Sequence, residues 1–163
     1  LMVAIQRPDL VKSIAPIGAN YHFDCGLNLD TFPVVISEED KDAFHERTGQ
    51  PRDLWVDIVT KAHEVWKSEP TLRREDLKRI TSPTLVIAGD DEPFSNDHTV
   101  SLYESISNSR LAIVPGASHS VLSEKPKLIK EILRDFYADY SFPITRNPNR
   151  RREETERILG TNL

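Results

Sequence analysis

A single cysteine, Cys25, leaves this 163-residue chain without an internal disulfide, and no Asn-x-Ser/Thr glycosylation acceptor occurs in it. With neither mark of an oxidising compartment, the expected setting is a reducing cytoplasm. No apolar run approaches the roughly 18 residues that a membrane-spanning helix needs, so no membrane partner is expected. An excess of positive charge is missing too: the formal net charge is −5, which gives no electrostatic grip on a phosphate backbone and excludes nucleic acid as an expected partner. There is no P-loop and no dinucleotide-binding glycine pattern, so no cofactor is expected. His22, His45, His63 and His98 are scattered, and "HEVW" at 63–66 lacks the second histidine of a zinc helix, so no metal is expected either.

What remains is an ordinary globular composition, 38% hydrophobic and 29% charged. A chain of this length can bury about two thirds of its unfolded surface. It opens on "LMVAIQRPDLVKSIAPIGAN", with Leu1 rather than Met and no charged leader, and reads as cut from a longer protein. Leu1, Ala4 and Ile5 share a helical face over 1–8, and Pro8 ends that helix. The apolar run 13–20 predicts a first strand, buried on both faces.

Between Tyr21 and about Glu75 the pattern becomes helical. Ser37 with Asp40 three residues on predicts a capped start, and Gly49 a stop. Leu54, Ile58, Ala62 and Val65 keep the 3.6 period between Pro51 and Pro70, and a short helix is expected over 72–80. "PTLVIAG" at 83–89 is the clearest strand, "RLAIV" at 110–114 another, with a helix over 97–106 between them that carries Val100, Tyr103 and Ile106 on one face. Leu128, Ile129, Ile132, Leu133 and Phe136 then mark a last long helix. Strands alternating with helices predict an α/β fold with a mostly parallel sheet and right-handed crossovers.

In such a sheet, functional groups collect beyond the carboxyl ends of the strands. One strand runs into Asp90, Asp91 and Glu92, and the next reaches His119 in "VPGASHSVL". Adjacent parallel strands would bring an acid and a histidine to one edge. A carboxylate there fixes the imidazole tautomer and stabilises the imidazolium, which suits a general base that activates a hydroxyl.

These segments resemble the C-terminal portion of an α/β-hydrolase. "SPTLVIAGDDEPF" resembles the acid-bearing strand and turn, "SNSRLAIVPGASHSVLSEKP" the last strand and histidine loop, and "LIKEILRDFY" the closing helix. "LMVAIQRPDLVKSIAPIGAN" resembles the helix after the nucleophile elbow and the strand behind it. The resemblance implies a partial core over 1–20 and 77–140 with about three parallel strands and a helical cap inserted at 21–76. It leaves 141–163 unexplained, where two prolines and the basic cluster Arg150 to Arg152 with acidic residues behind it predict a solvated tail or surface helix. It implies His119 as the catalytic histidine and Glu92 as the triad acid, in the register of a Gly-Asp-x-Asp turn that starts at Gly89. Asp91 is the second choice, and Asp90 is expected to cap the turn. Phe44, Trp55 and Trp66 are candidate substrate-binding residues, against the alternative that they pack the cap helices together.

The family's G-x-S-x-G elbow is absent. "GASHS" at 116–120 is its nearest imitation, but His119 would point away from the adjacent Ser118 on an extended backbone. Cys25 is the other weighed nucleophile, more simply read as a packed residue. The expected function is therefore a serine hydrolase of esters or related small acyl substrates in a longer protein, with the nucleophile a few residues before Leu1 and the 163-residue chain inert alone. The alternative is a non-catalytic hydrolase-like module. For the isolated chain both readings predict a homo-oligomer formed through the open edge of the first strand.

Overall fold

The computed structural model describes residues 1–27, 29, 35–142, 150 and 152–160. In chain order the elements are α1 (Met2–Gln6), a 3-10 turn (Pro8–Leu10), α2 (Glu38–Thr48), α3 (Leu54–Trp66), α4 (Arg74–Leu77), β1 (Thr84–Asp91), α5 (Asn96–Ser105), β2 (Ser109–Ser118), α6 (Val121–Glu124), α7 (Pro126–Ala138) and α8 (Arg152–Leu159). None of the described helices is long and apolar enough to cross a membrane.

β1 pairs in parallel with β2, Thr84 opposite Ser109 and Gly89 opposite Val114, with α5 as the crossover. On the other side of β1 the backbone of 14–18 runs parallel as well. The Ile14 N–H donates to Pro83 O (3.0 Å), Leu85 N–H to Ile14 O (2.9 Å), Ile87 N–H to Pro16 O (3.0 Å) and Gly18 N–H to Ile87 O (2.9 Å). Pro16 has no N–H to give, so one rung is lost. The strand expected over 13–20 is thus two isolated parallel bridges, Ile14 to Thr84 and Ile17 to Ile87. The order is 14–18, β1, β2.

β1 is buried from Thr84 to Gly89, as a strand covered on both faces must be. Its side chains alternate between two cores. Val86 packs with Ala4, Ile5, Leu77 and Leu102 on one face, and Leu85 and Ile87 pack with Val114, Ile129 and Phe136 on the other. Both strands run further than the apolar pattern indicates, to Asp91 and Ser118. β2 bulges between the pairs Gly89–Val114 and Asp91–Ser118, at Pro115 and Gly116. A side chain at Gly89 would place its Cβ 2.1 Å from Ala117 O, so only glycine fits beneath the bulge.

The helices follow their signals with some corrections. Ser37 and Asp40 form the reciprocal cap of α2, and Gly49 closes it with φ 69°. The buried stripe of α5 is His98, Thr99, Leu102 and Ser105, rather than a face centred on Val100 and Tyr103, although Ile106 just beyond the helix is buried as expected. Ser105 fits there because its Oγ–H donates to Ser101 O (2.7 Å), whereas the buried Thr99 Oγ1 has no hydrogen-bond partner among the described residues. On α7, Ile129 and Phe136 are buried and Leu128 is exposed. α2 and α3 bury no residue. Arg52 joins them by ion pairs to Asp42 (2.6 Å) and Glu38 (3.0 Å). The two ends of this helical segment meet where Phe23 N–H donates to Pro70 O (2.7 Å) and Leu72 N–H to Tyr21 O (3.0 Å).

Candidate active site

The carboxyl ends of β1 and β2 bring Glu92 and His119 together. The His119 Nδ1 lies 2.7 Å from Glu92 Oε2. The Glu92 side chain has no exposed surface, whereas the His119 side chain is 58% exposed. Glu92 is fixed at its other oxygen, since Oε1 accepts the Gly89 N–H at 3.0 Å. A carboxylate opposite Nδ1 selects the tautomer that carries the proton there, which leaves the Nε2 lone pair free to take a proton from a third group.

Three carboxylates hold the surrounding loops, each through a main-chain N–H. Besides Glu92, Asp90 Oδ1 accepts from Ala117 N–H (3.1 Å) across on β2. Amides of Gly116 and Ala117 hold its carboxyl below the usual carboxylate range. Glu124 grips the histidine loop twice, through Ser118 Oγ–H to Oε1 and Ser118 N–H to Oε2, both 2.7 Å. Those two bonds lower its pKa as well.

Behind the pair stands the end of 14–18. Gly18 has φ +55°, and a Cβ there would sit 2.9 Å from His119 Nδ1 and 3.5 Å from Glu92 Oε1. Phe94 meets the His119 ring edge-on, with centroids 6.2 Å apart.

The other sequence candidates lie elsewhere. Asp91 is exposed at the end of β1 opposite Ser118 and makes none of the contacts of Glu92. Phe44 and Trp55 stack on each other (5.4 Å, 29°), joining α2 to α3. Trp66 is 46% exposed and lines a hollow of about 450 Å³ with Phe23, Asp24, Leu27 and Lys67. Cys25 is buried, its sulfur 3.5 Å from Asn20 Nδ2. Ser118 Oγ–H is committed to Glu124, and among the described residues no hydroxyl or thiol is bonded to His119. Among them, too, no group of three or more histidine, cysteine, aspartate or glutamate residues could hold a metal ion.

Sequence reasoning passed over His98, Tyr21 and Phe94. The His98 ring stacks on Tyr21 (4.2 Å, 11°) and meets Phe94 edge-on (5.9 Å). The spacing of His98, Leu102 and Ser105 at i, i+4 and i+7 was the signal that could have shown His98 to be buried.

No protein-family model matches the chain, and no curated protein does. Solved structures do. A meta-cleavage product hydrolase from Pseudomonas fluorescens superposes with a TM-score of 0.58 at 17% identity over 86% of this chain and 60% of its own. An α/β hydrolase from a Medee basin deep-sea metagenome library gives 0.56 at 18% identity over 87% and 62%. A proline iminopeptidase from Mycobacterium smegmatis gives 0.56 at 16% identity over 85% and 60%. The chain spans between 60% and 62% of the length of these three. At such identities the likeness speaks of the backbone path alone, and with the parallel order 14–18, β1, β2 it is sufficient for one conclusion: the chain carries part of an α/β-hydrolase fold.

Proposed function

We propose that His119 and Glu92 are the histidine and acid of a serine-hydrolase triad, and that the nucleophile is an elbow serine preceding α1 in a longer protein. The observation that carries this reading is the 2.7 Å contact between an outward-facing imidazole and a carboxylate with no exposed surface of its own. A buried carboxylate whose second oxygen is already bonded orients one histidine and does little else.

The chemistry follows from which atom is free. Nε2 takes the serine proton as Oγ attacks the acyl carbon, and Glu92 stabilises the imidazolium that forms. The same Nε2–H then passes to the leaving group, and water repeats the cycle on the acyl-enzyme. The substrate class is an ester or related small acyl compound. Of the three aromatic candidates, Trp66 is the one with an open face for a substrate, because Phe44 and Trp55 cover each other.

The test compares two proteins. The 163-residue chain is expected to resist a fluorophosphonate probe and to leave p-nitrophenyl esters intact. The protein with its upstream coding residues is expected to be labelled at a serine within roughly ten residues before Leu1, as the strand–turn–helix elbow requires. In that longer protein His119→Ala and Glu92→Gln should each lower kcat by about 10⁴-fold or more. Esterase activity of the short chain that His119→Ala abolishes would refute the assignment, as would an upstream sequence with no elbow serine.

A further inference from the structure

The segment that backs His119 is held by a group with no place in the triad. From Gly18, in contact with the imidazole, the chain runs to Tyr21, whose buried N–H donates to His98 Nε2 at 3.3 Å. The Tyr21 ring lies flat on the His98 ring, and its hydroxyl is 2.7 Å from Ser101 Oγ. Four residues on, Cys25 O accepts the Ser95 N–H (2.9 Å) at the cap of α5. Phe94 touches both histidines edge-on, His98 at 5.9 Å and His119 at 6.2 Å. His98 is 6% exposed.

We propose that His98 is a positioning residue: as an acceptor for the Tyr21 N–H it latches residues 18–25 to α5 and so keeps Gly18 seated against the His119–Glu92 pair. The latch requires a neutral imidazole, because the protonated ring has no lone pair at Nε2. Burial favours that form and pushes the His98 pKa down to about 4, with nearby His22 acting in the same direction and Asp24 against it. His98 is protonated more readily in the unfolded chain, near pH 6.5, than in the folded one. Stability therefore declines as pH falls from 6.5 towards 4, and near 4 the folded protein itself takes up the proton and the latch opens.

This deepens the triad reading and rests on it only for its bearing on catalysis, so the test needs no turnover. Imidazole ¹H–¹⁵N spectra of the 163-residue chain report the tautomer of the neutral His119 ring, and the Tyr21 amide resonance reports the latch across pH. His98→Leu, which leaves the Tyr21 N–H buried without a partner, should convert His119 from the single Nδ1–H tautomer to a mixture and speed amide exchange at Gly18 and Tyr21 by tenfold or more. His98→Gln keeps a carbonyl acceptor and has no titration. It should preserve the His119 tautomer and remove the step near pH 4 from the Tyr21 amide resonance. Ile129→Val weakens the opposite core and should leave His119 unmoved. A His119 spectrum unchanged in His98→Leu, or changed equally by Ile129→Val, overturns the proposal. If the leucine variant does not fold, His98→Gln decides, since a Tyr21 amide resonance that still shifts near pH 4 with the amplitude seen in the parent chain refutes the latch. Failure of the latch leaves the triad assignment standing, and an active short chain would remove the triad reading without touching the latch.

Discussion

Adding one methyl group at Gly18 should disturb the His119–Glu92 pair without altering any side chain in it. The perturbation has two parts. Gly18 and Gly49 both occupy the left-handed region, at φ 55° and 69°, where an L side chain costs about 1 kcal/mol. Nothing lies within 4 Å of a Cβ at Gly49, whereas at Gly18 it would fall 2.9 Å from His119 Nδ1 and 3.0 Å from Cε1. The imidazole must retreat by about half an ångström to restore ordinary contact, which stretches a 2.7 Å hydrogen bond to a carboxylate. Such bonds contribute about 1.5–3 kcal/mol, so partial loss adds roughly 1–2 kcal/mol to the conformational cost. Gly18→Ala is then expected to lower stability by about 2–3 kcal/mol, a fall in Tm of roughly 5–10 °C for a domain of this size. Gly49→Ala should cost about 1 kcal/mol. Urea titrations at neutral pH measure both, with equal m-values as the check that the unfolded states are comparable. Equal losses in the two variants, with the imidazole resonances of His119 unmoved by Gly18→Ala, would refute the close packing of Gly18 on the pair.

Two further outcomes follow from the edges of the sheet and the end of the chain. Arg150 donates to the carbonyls of Tyr103 (3.0 Å) and Ile106 (2.9 Å), and its guanidinium lies 3.9 Å over the Tyr103 ring, a cation at the C-terminus of α5. Arg150→Ala should cost about 1–2 kcal/mol in urea unfolding, and Arg150→Lys should recover less than half, because an ammonium lacks the planar fork. On 14–18, the main-chain groups bonded to β1 belong to Ile14, Pro16 and Gly18, which turns the N–H and C=O groups of Ala15 and Ile17 toward the open side while their side chains pack on the core. We expect the isolated chain to self-associate there, with a concentration-dependent sedimentation coefficient that Ala15→Pro, by replacing an outward N–H with a ring, returns to the monomer value.

The sequence made the middle of the fold legible because its signals there are local. The continuous apolar run Leu85 to Ile87 has one interpretation in a parallel sheet, and the pair Ser37 and Asp40 caps a helix whatever lies around it. The contact of Glu92 with His119 could be anticipated because both follow strands that must be neighbours. Where a strand was expected over 13–20, the backbone makes two isolated parallel bridges, because Pro16 removes a rung that the apolar pattern does not reveal. Contacts made at long separation were out of reach. Nothing near His98 indicates that its ring meets Tyr21, which is 77 residues away, and nothing near Arg150 indicates the end of α5. Phe44, Trp55 and Trp66 are alike in pattern and differ in setting, two facing each other and one facing solvent.

Asp90, Glu92 and Glu124 hold the site loops by accepting N–H groups of Ala117, Gly89 and Ser118. Their main partners are dipoles and not ions, and added salt screens ion pairs far more than it does short dipolar contacts. Acid acts differently, because Asp90 and Glu124 have pKa values held low in the fold, and what they contribute above the unfolded carboxylate range is lost as pH falls through the folded values. The loops around His119 are accordingly built to ignore ionic strength and to yield to protons.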